Sequence, residues 1–129
     1  MAGDAIRRLS VVVVAVLTVL GVLVLAAPGA GAAPRRDCPG HQVRSLPFRT
    51  GVVRLYKRDG YVCAVTVAKA PGAPRLMSLS VQARGNRPVT DKGHYRDHAG
   101  PVTVHAGHRC VRVRGAVGRG AVSSGWILC

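Results

Sequence analysis

From Arg49 onward, apolar and polar residues alternate with a period of two, the repeat of a strand with one buried face, and no stretch sustains the period of an amphipathic helix. The clearest unit is GVVRLYKRDGYVCAVTVAK, residues 51–69. Val53 and Leu55 alternate with Arg54 and Tyr56, and on the return arm Cys63, Val65 and Val67 share one face. Asp59-Gly60 stands between the arms and predicts a hairpin, because such a tight turn needs the positive φ that glycine adopts freely. PGAP at 71–74 breaks the pattern. LMSLSVQAR then sets Met77, Leu79, Val81 and Ala83 against Ser78, Ser80 and Gln82, a half-buried antiparallel strand. GNRP at 85–88 predicts a turn, PVTD a short strand, Val102 with Val104 another, and Val111 with Val113 another. GAVGRGAVSSG reads as a glycine-rich loop leading to the terminal WILC. Strand signals about every 8–12 residues, separated by Gly and Pro, predict an all-β domain, a small antiparallel β-sandwich or barrel.

The first 33 residues follow another rule. Arg7 and Arg8 precede an uncharged run of 17 residues, Val11 to Ala27, and APGAGAA follows. This is the layout of a secretory signal helix, with Ala30-Gly31-Ala32 supplying small residues for cleavage near Ala32. The expected organisation is therefore a signal peptide over 1–32, an N-terminal segment over 33–48 tethered through Cys38, and a β domain over 49–129. The uncleaved alternative is a short anchor, since 17 residues lie at the lower limit for a spanning helix; once the signal is removed, no stable membrane anchor is expected.

A secreted domain of this size has a thin core and gains from cross-links. Its cysteines are Cys38, Cys63, Cys110 and Cys129, an even number without a CxxC pair, so two disulfides are expected among three connectivities. Cys38 with Cys63 and Cys110 with Cys129 are favoured, because each closes a loop worth about 3–4 kcal/mol in the chain-entropy description. Cys38 with Cys129, joining the two ends, is the rival.

Charge adds a partner class. The chain has 19 Lys and Arg against 5 Asp and Glu, and setting aside Arg7, Arg8 and Asp4 leaves 17 against 4, near +13. Such an excess favours anionic partners, here cell-wall or spore-surface polymers, and it admits nucleic acid without specificity. RLYKR at 54–58 interleaves an aromatic with cations, so Arg54, Tyr56, Lys57 and Arg58, with Arg112 and Arg114 from the later strand, are the candidate polyanion contacts. The plain alternative for each is a solvated strand face. Trp126, with few aromatic companions, reads as a core anchor.

The segments GVVRLY, YVCAVTV, LMSLSV, AGPVTV and RCVRVRG, followed by a near-terminal cysteine, together resemble the spore-associated protein A family of small exported proteins from sporulating actinobacteria. The resemblance spans Cys38 to Cys129, and its most specific pieces are the strand around Cys63 and the stretch from Tyr95 to Val104 containing AGPV. It implies a disulfide-bonded protein at the spore or cell surface with no established enzymatic activity and no catalytic residues. The chain departs from the pattern in its high basicity and in placing Asp97 and His98 before AGPV.

Catalytic chemistry finds little material. There is no glutamate, and beyond the signal only Asp37, Asp59, Asp91 and Asp97 remain, so a two-carboxylate glycosidase would need Asp91 and Asp97 to meet across a loop. GxSxG, P-loop and HExxH motifs are missing. Four of the five histidines, His94, His98, His105 and His108, fall within residues 93–110 and are weak candidates for metal ligation. Gly93, Gly100 and Pro101 oppose the helix that would align His94 with His98, and alternation in VTVH points His105 to solvent. No cofactor is expected, and the protein is read as no enzyme. The alternative readings are a secreted histidine-dependent ribonuclease and a protease inhibitor presenting the glycine-rich 115–125 segment.

Overall fold

The computed structural model describes residues 37–129. The signal peptide expected over 1–32 and its cleavage point lie outside the described residues. Eight strands follow in order: β1 (His41–Phe48), β2 (Gly51–Arg58), β3 (Tyr61–Ala68), β4 (Arg75–Ala83), β5 (Val89–Tyr95), β6 (His98–His105), β7 (Val111–Val117) and β8 (Gly120–Ile127). They form two four-stranded antiparallel sheets, β1-β2-β3-β6 and β5-β4-β7-β8, which enclose one core as a sandwich.

The hairpin expected at Asp59-Gly60 forms, with φ of 51° and 80° at the two turn residues, and it joins β2 to β3 in register from Arg58↔Tyr61 to Gly51↔Ala68. Val53 and Leu55 point inward with Val62, Ala64 and Thr66, while Met77, Leu79, Val81 and Ala83 meet them from β4 and Val111, Val113 and Val117 from β7. This core is built of small aliphatic side chains. Cys63, Val65 and Val67 do share a face, as the alternation indicated, but it is the outer one. From Val62 onward the strand is buried on both sides.

Two polar details fix how closely the sheets approach. Thr66, fully buried in the middle of β3, donates its hydroxyl to the Ser78 carbonyl of β4 at 3.0 Å, so a core hydroxyl is satisfied across the sandwich. Opposite it, a Cβ on Gly115 would lie 2.3 Å from Val53 Cγ2 and 2.7 Å from Thr66 Oγ1, so glycine allows the contact. Gly100 has φ +87°, a backbone conformation open to glycine, and a Cβ there would meet Leu79 Cδ2 at 2.7 Å. AGPV is therefore a strand segment shaped around a core leucine. The prolines Pro47 and Pro101 lie in β1 and β6, the two edges of the first sheet, where a missing N–H leaves no ladder bond unmade.

Three segments differ from the sequence expectation. Residues 41–48 form β1, paired with β2, so this part of the 33–48 segment belongs to the sandwich and is no mere tether. Most of its residues are exposed, and only Leu46 and Phe48 at its end turn toward the core, too short an alternation to mark a strand. The glycine-rich 115–125 segment is the hairpin of β7 and β8, turning at Gly118-Arg119. It offers no extended reactive loop for the inhibitor reading. The strand expected at PVTD runs on through Gly93 and His94 to Tyr95, and β6 begins already at His98.

Both favoured disulfides are present, Cys38–Cys63 and Cys110–Cys129, and the rival tie between the two ends is not made. Each lies toward the end of the sandwich that carries the Asp59-Gly60 turn and the 106–110 loop. In that loop Arg109 donates to the carbonyls of Ala106, Arg84 and His105, which makes this cation a loop brace.

Candidate functional site

The histidine-rich stretch that attracts attention in the sequence is dispersed by the fold. His94 stands on the outer face of the second sheet, opposite Leu76. His98 and His105 occupy opposite ends of β6 on the other sheet, roughly 20 Å apart along the length of β3 that their partners Val67 and Tyr61 span. His98 Nδ1 lies 3.1 Å from Asp97 Oδ2, His105 packs edge-on against Tyr61 at 4.9 Å between ring centroids, and His108 sits in the loop after β6. Among the described residues no three His, Cys, Asp or Glu side chains gather as a metal site would require.

Asp91 and Asp97 are likewise engaged in structure. Asp91 faces inward from β5 and accepts hydrogen bonds from the Tyr95 hydroxyl and, at 2.8 Å, from the Gly100 backbone N–H. Donating to that carboxylate holds the Tyr95 phenol above its ordinary range, with burial and the Asp91 charge acting in the same direction. Asp59 occupies the hairpin turn, 3.8 Å from Arg58 Nε on an exposed surface.

The six candidate polyanion contacts separate. Arg54 and Tyr56 lie on the outer face of the first sheet, flanking the Cys38–Cys63 bridge through the Tyr56↔Cys63 pairing. Lys57 falls on the inward-facing row at the end of β2, beside Arg58 at the turn. Arg112 and Arg114 lie together on the outer face of the second sheet, where alternation along β7 sends Val111 and Val113 to the core and the arginines outward.

That second face gathers more cations than the sequence indicated. Alternation along β5 adds Lys92, opposite Ser78 and on the row of Thr90, and Arg84 follows β4. Trp126 is not the core anchor expected from its isolation. A shift of register between Arg112 and Arg114 brings it opposite Arg112 on the outer side, 38% exposed, with the Arg112 guanidinium 4.8 Å and the Arg84 guanidinium 5.6 Å from the ring. Arg112 also donates to Gln82 Oε1 at 2.9 Å, and Gln82 in turn donates to the Asn86 carbonyl. The tryptophan and glutamine thus fix a guanidinium that would otherwise be mobile. Ser78, Ser80 and Ser123 supply hydroxyls between the cations, and two shallow concavities flank Arg114, one of about 310 Å³ toward Ser123 and one of about 60 Å³ toward Pro88. None of the residues assigned to this face is acidic.

A second concentration of charge lies at one end of the sandwich. Arg49, Lys69, Arg75 and Arg119 line a cavity of about 330 Å³ together with Thr50 and Val117. None of the four was singled out by sequence, because they come from two turns, a strap and a strand start that are distant in the chain.

Fold and surface together define a small disulfide-stapled antiparallel β-sandwich with one sheet whose outer face carries a cluster of cations and no assigned acidic residue. Spore-associated protein A of Streptomyces coelicolor is 33% identical to this chain over 121 residues, covering 81% of this chain and 79% of that protein. The chain belongs to the spore-associated protein A family. No protein-family model matches it, and neither does any solved structure.

Proposed function

We propose that this chain is an exported, non-enzymatic protein of the cell or spore surface, and that the outer face of its second sheet attaches it weakly to anionic wall polymers. The carrying observation is the placement of Arg84, Lys92, Arg112 and Arg114 on or beside one sheet face with no acidic neighbour in the rows between them. Charges of one sign on a shallow surface attract a polymer of the opposite sign at long range and are screened by salt. The spore association named for the Streptomyces coelicolor relative and the two disulfides support an extracytoplasmic location. The dispersed histidines and engaged carboxylates support a binding role over hydrolysis.

Purified wall from the producing organism tests the reading. It should retain the protein at about 20 mM salt and release it well before about 500 mM, where the screening length falls to only a few ångströms. Arg112→Gln with Arg114→Gln should elute earlier than the unaltered protein. Salt-insensitive retention, or identical elution of the double variant, would remove this face from the function.

A further inference from the structure

We infer that the cavity at the end of the sandwich is a binding site for a phosphate ester, separate from the sheet face above and independent of its role. Its frame is rigid. The β1–β2 turn and the β7–β8 turn belong to different sheets, yet Thr50 Oγ1 donates to the Val117 carbonyl at 2.7 Å and ties them together. The strap at 69–74 is bound to the same frame through Lys69 N–H to the Thr50 carbonyl at 3.0 Å, and Gly118 N–H reaches the Leu76 carbonyl at 2.8 Å. Four cations project from this frame around one cavity, and none of its described lining residues is a carboxylate.

Arg75 supplies the second, independent observation. It opens β4 half-buried, and one of its terminal amino groups donates to the Ala70 carbonyl in the strap. Its Nε is buried and has no hydrogen-bond partner. An orphaned guanidinium N–H is costly, and protein interiors rarely leave one unsatisfied. Arg75 lines the cation-lined cavity, so a bound anion would meet its terminal amino groups, Nε itself being shut off from solvent. Arginine presents its donors as a planar fork suited to phosphate, and Arg49, Lys69 and Arg119 add charge at the rim. The cavity exceeds the volume of a bare phosphate ion, and Val117 and Ala70 give it an apolar wall, which fits a phosphoryl group carried on a small organic residue.

The test uses the secreted, fully oxidised protein labelled with nitrogen-15. Titration with glycerol 3-phosphate at low salt should give saturable shifts of the Arg75 Nε–H resonance and of the Lys69 and Gly118 amides, with inorganic phosphate binding more weakly. Arg75→Gln should weaken binding at least tenfold. If that variant loses its amide dispersion, Lys69→Gln and Arg119→Gln decide, since both side chains are exposed, and each should weaken binding about threefold. Arg112→Gln with Arg114→Gln should leave this binding unchanged, which keeps the outcome distinct from that of the wall experiment. Co-sedimentation with phosphatidylglycerol vesicles separates the sources. Vesicle binding abolished by Arg75→Gln assigns the ester to a lipid headgroup, and saturable binding of the free ester alone assigns it to a soluble molecule. No saturable shift at Arg75 Nε–H, or equal weakening by the Arg112 and Arg114 substitutions, would overturn the site.

Discussion

At the end of the sandwich that carries the Asp59-Gly60 turn, Cys38–Cys63 and Cys110–Cys129 hold the chain covalently, and Arg109 braces the neighbouring loop through three carbonyls. At the opposite end neither disulfide takes part. Two hairpin turns from different sheets meet there through Thr50 and Val117, and four cations crowd one cavity. The first end closes on itself and asks nothing of a ligand. The second is closed by neutral hydrogen bonds between turns, and it is there that the proposed anion would bind. A thin aliphatic core can carry such a region because the cross-links restrain the rest.

The largest effect should come from breaking the stapled end. Replacing Cys38 and Cys63 by serine opens a ring of sequence separation 25, with an expected loss of about 3 kcal/mol by chain entropy. For a domain of this size that lowers the melting temperature on the order of 10–20 °C, measurable by calorimetry. A smaller loss is expected from Gly120→Ala at the cationic end. Its Cβ would fall 2.0 Å from Thr50 Oγ1, forcing that hydroxyl away from Val117, and overpacking of this kind costs roughly 1–3 kcal/mol. Denaturant melts should place it between the disulfide variant and Thr50→Val, which removes only the hydroxyl bond and should cost about 1 kcal/mol. If Thr50→Val proved as damaging as loss of the disulfide, the contrast between covalent and hydrogen-bonded ends would fail.

The smallest effect concerns Tyr95, which ends β5 at the cationic end. Its phenol is held above the ordinary value near 10 by donation to Asp91. The stability it confers is therefore fully present below that value and is lost as pH rises through the higher folded-state value. Alkaline absorbance titration should show one of the three tyrosines ionising last, and Tyr95→Phe should remove that phase while the others stay.

How much of this was legible follows from what burial does to a sequence. Met77, Leu79, Val81 and Ala83 could be read directly because one side of β4 is dry and the other wet. The β2–β3 hairpin was marked by Asp59-Gly60. Edge strands carry a weaker contrast. β1 turns only Leu46 and Phe48 inward, and β8 interrupts its Val122 and Ile127 with Gly and Ser, so the sequence pattern of the first resembles a tether and that of the second a loop. The sites were harder still. Arg112 and Arg114 are neighbours by alternation and were found. Trp126 joins them only through a register shift in the β7–β8 pairing and meets Arg84 from the end of β4, and Arg49, Lys69, Arg75 and Arg119 converge only once both sheets are assembled. Asp91 and Tyr95 come together because the strand begun at PVTD continues past Gly93 to Tyr95, farther than the alternation marks.

The disulfide pattern also bears on how the molecule is made. The first cysteine pairs with the second and the third with the fourth, Cys38 with Cys63 and Cys110 with Cys129, so the two rings neither overlap nor nest. In a chain delivered amino terminus first, the second cysteine to arrive is already the correct mate for the first, and that ring holds β1, β2 and the start of β3 before Cys110 is in reach. An oxidant that merely joins thiols in order of arrival would yield the native pairing, with no wrong pair left to reshuffle.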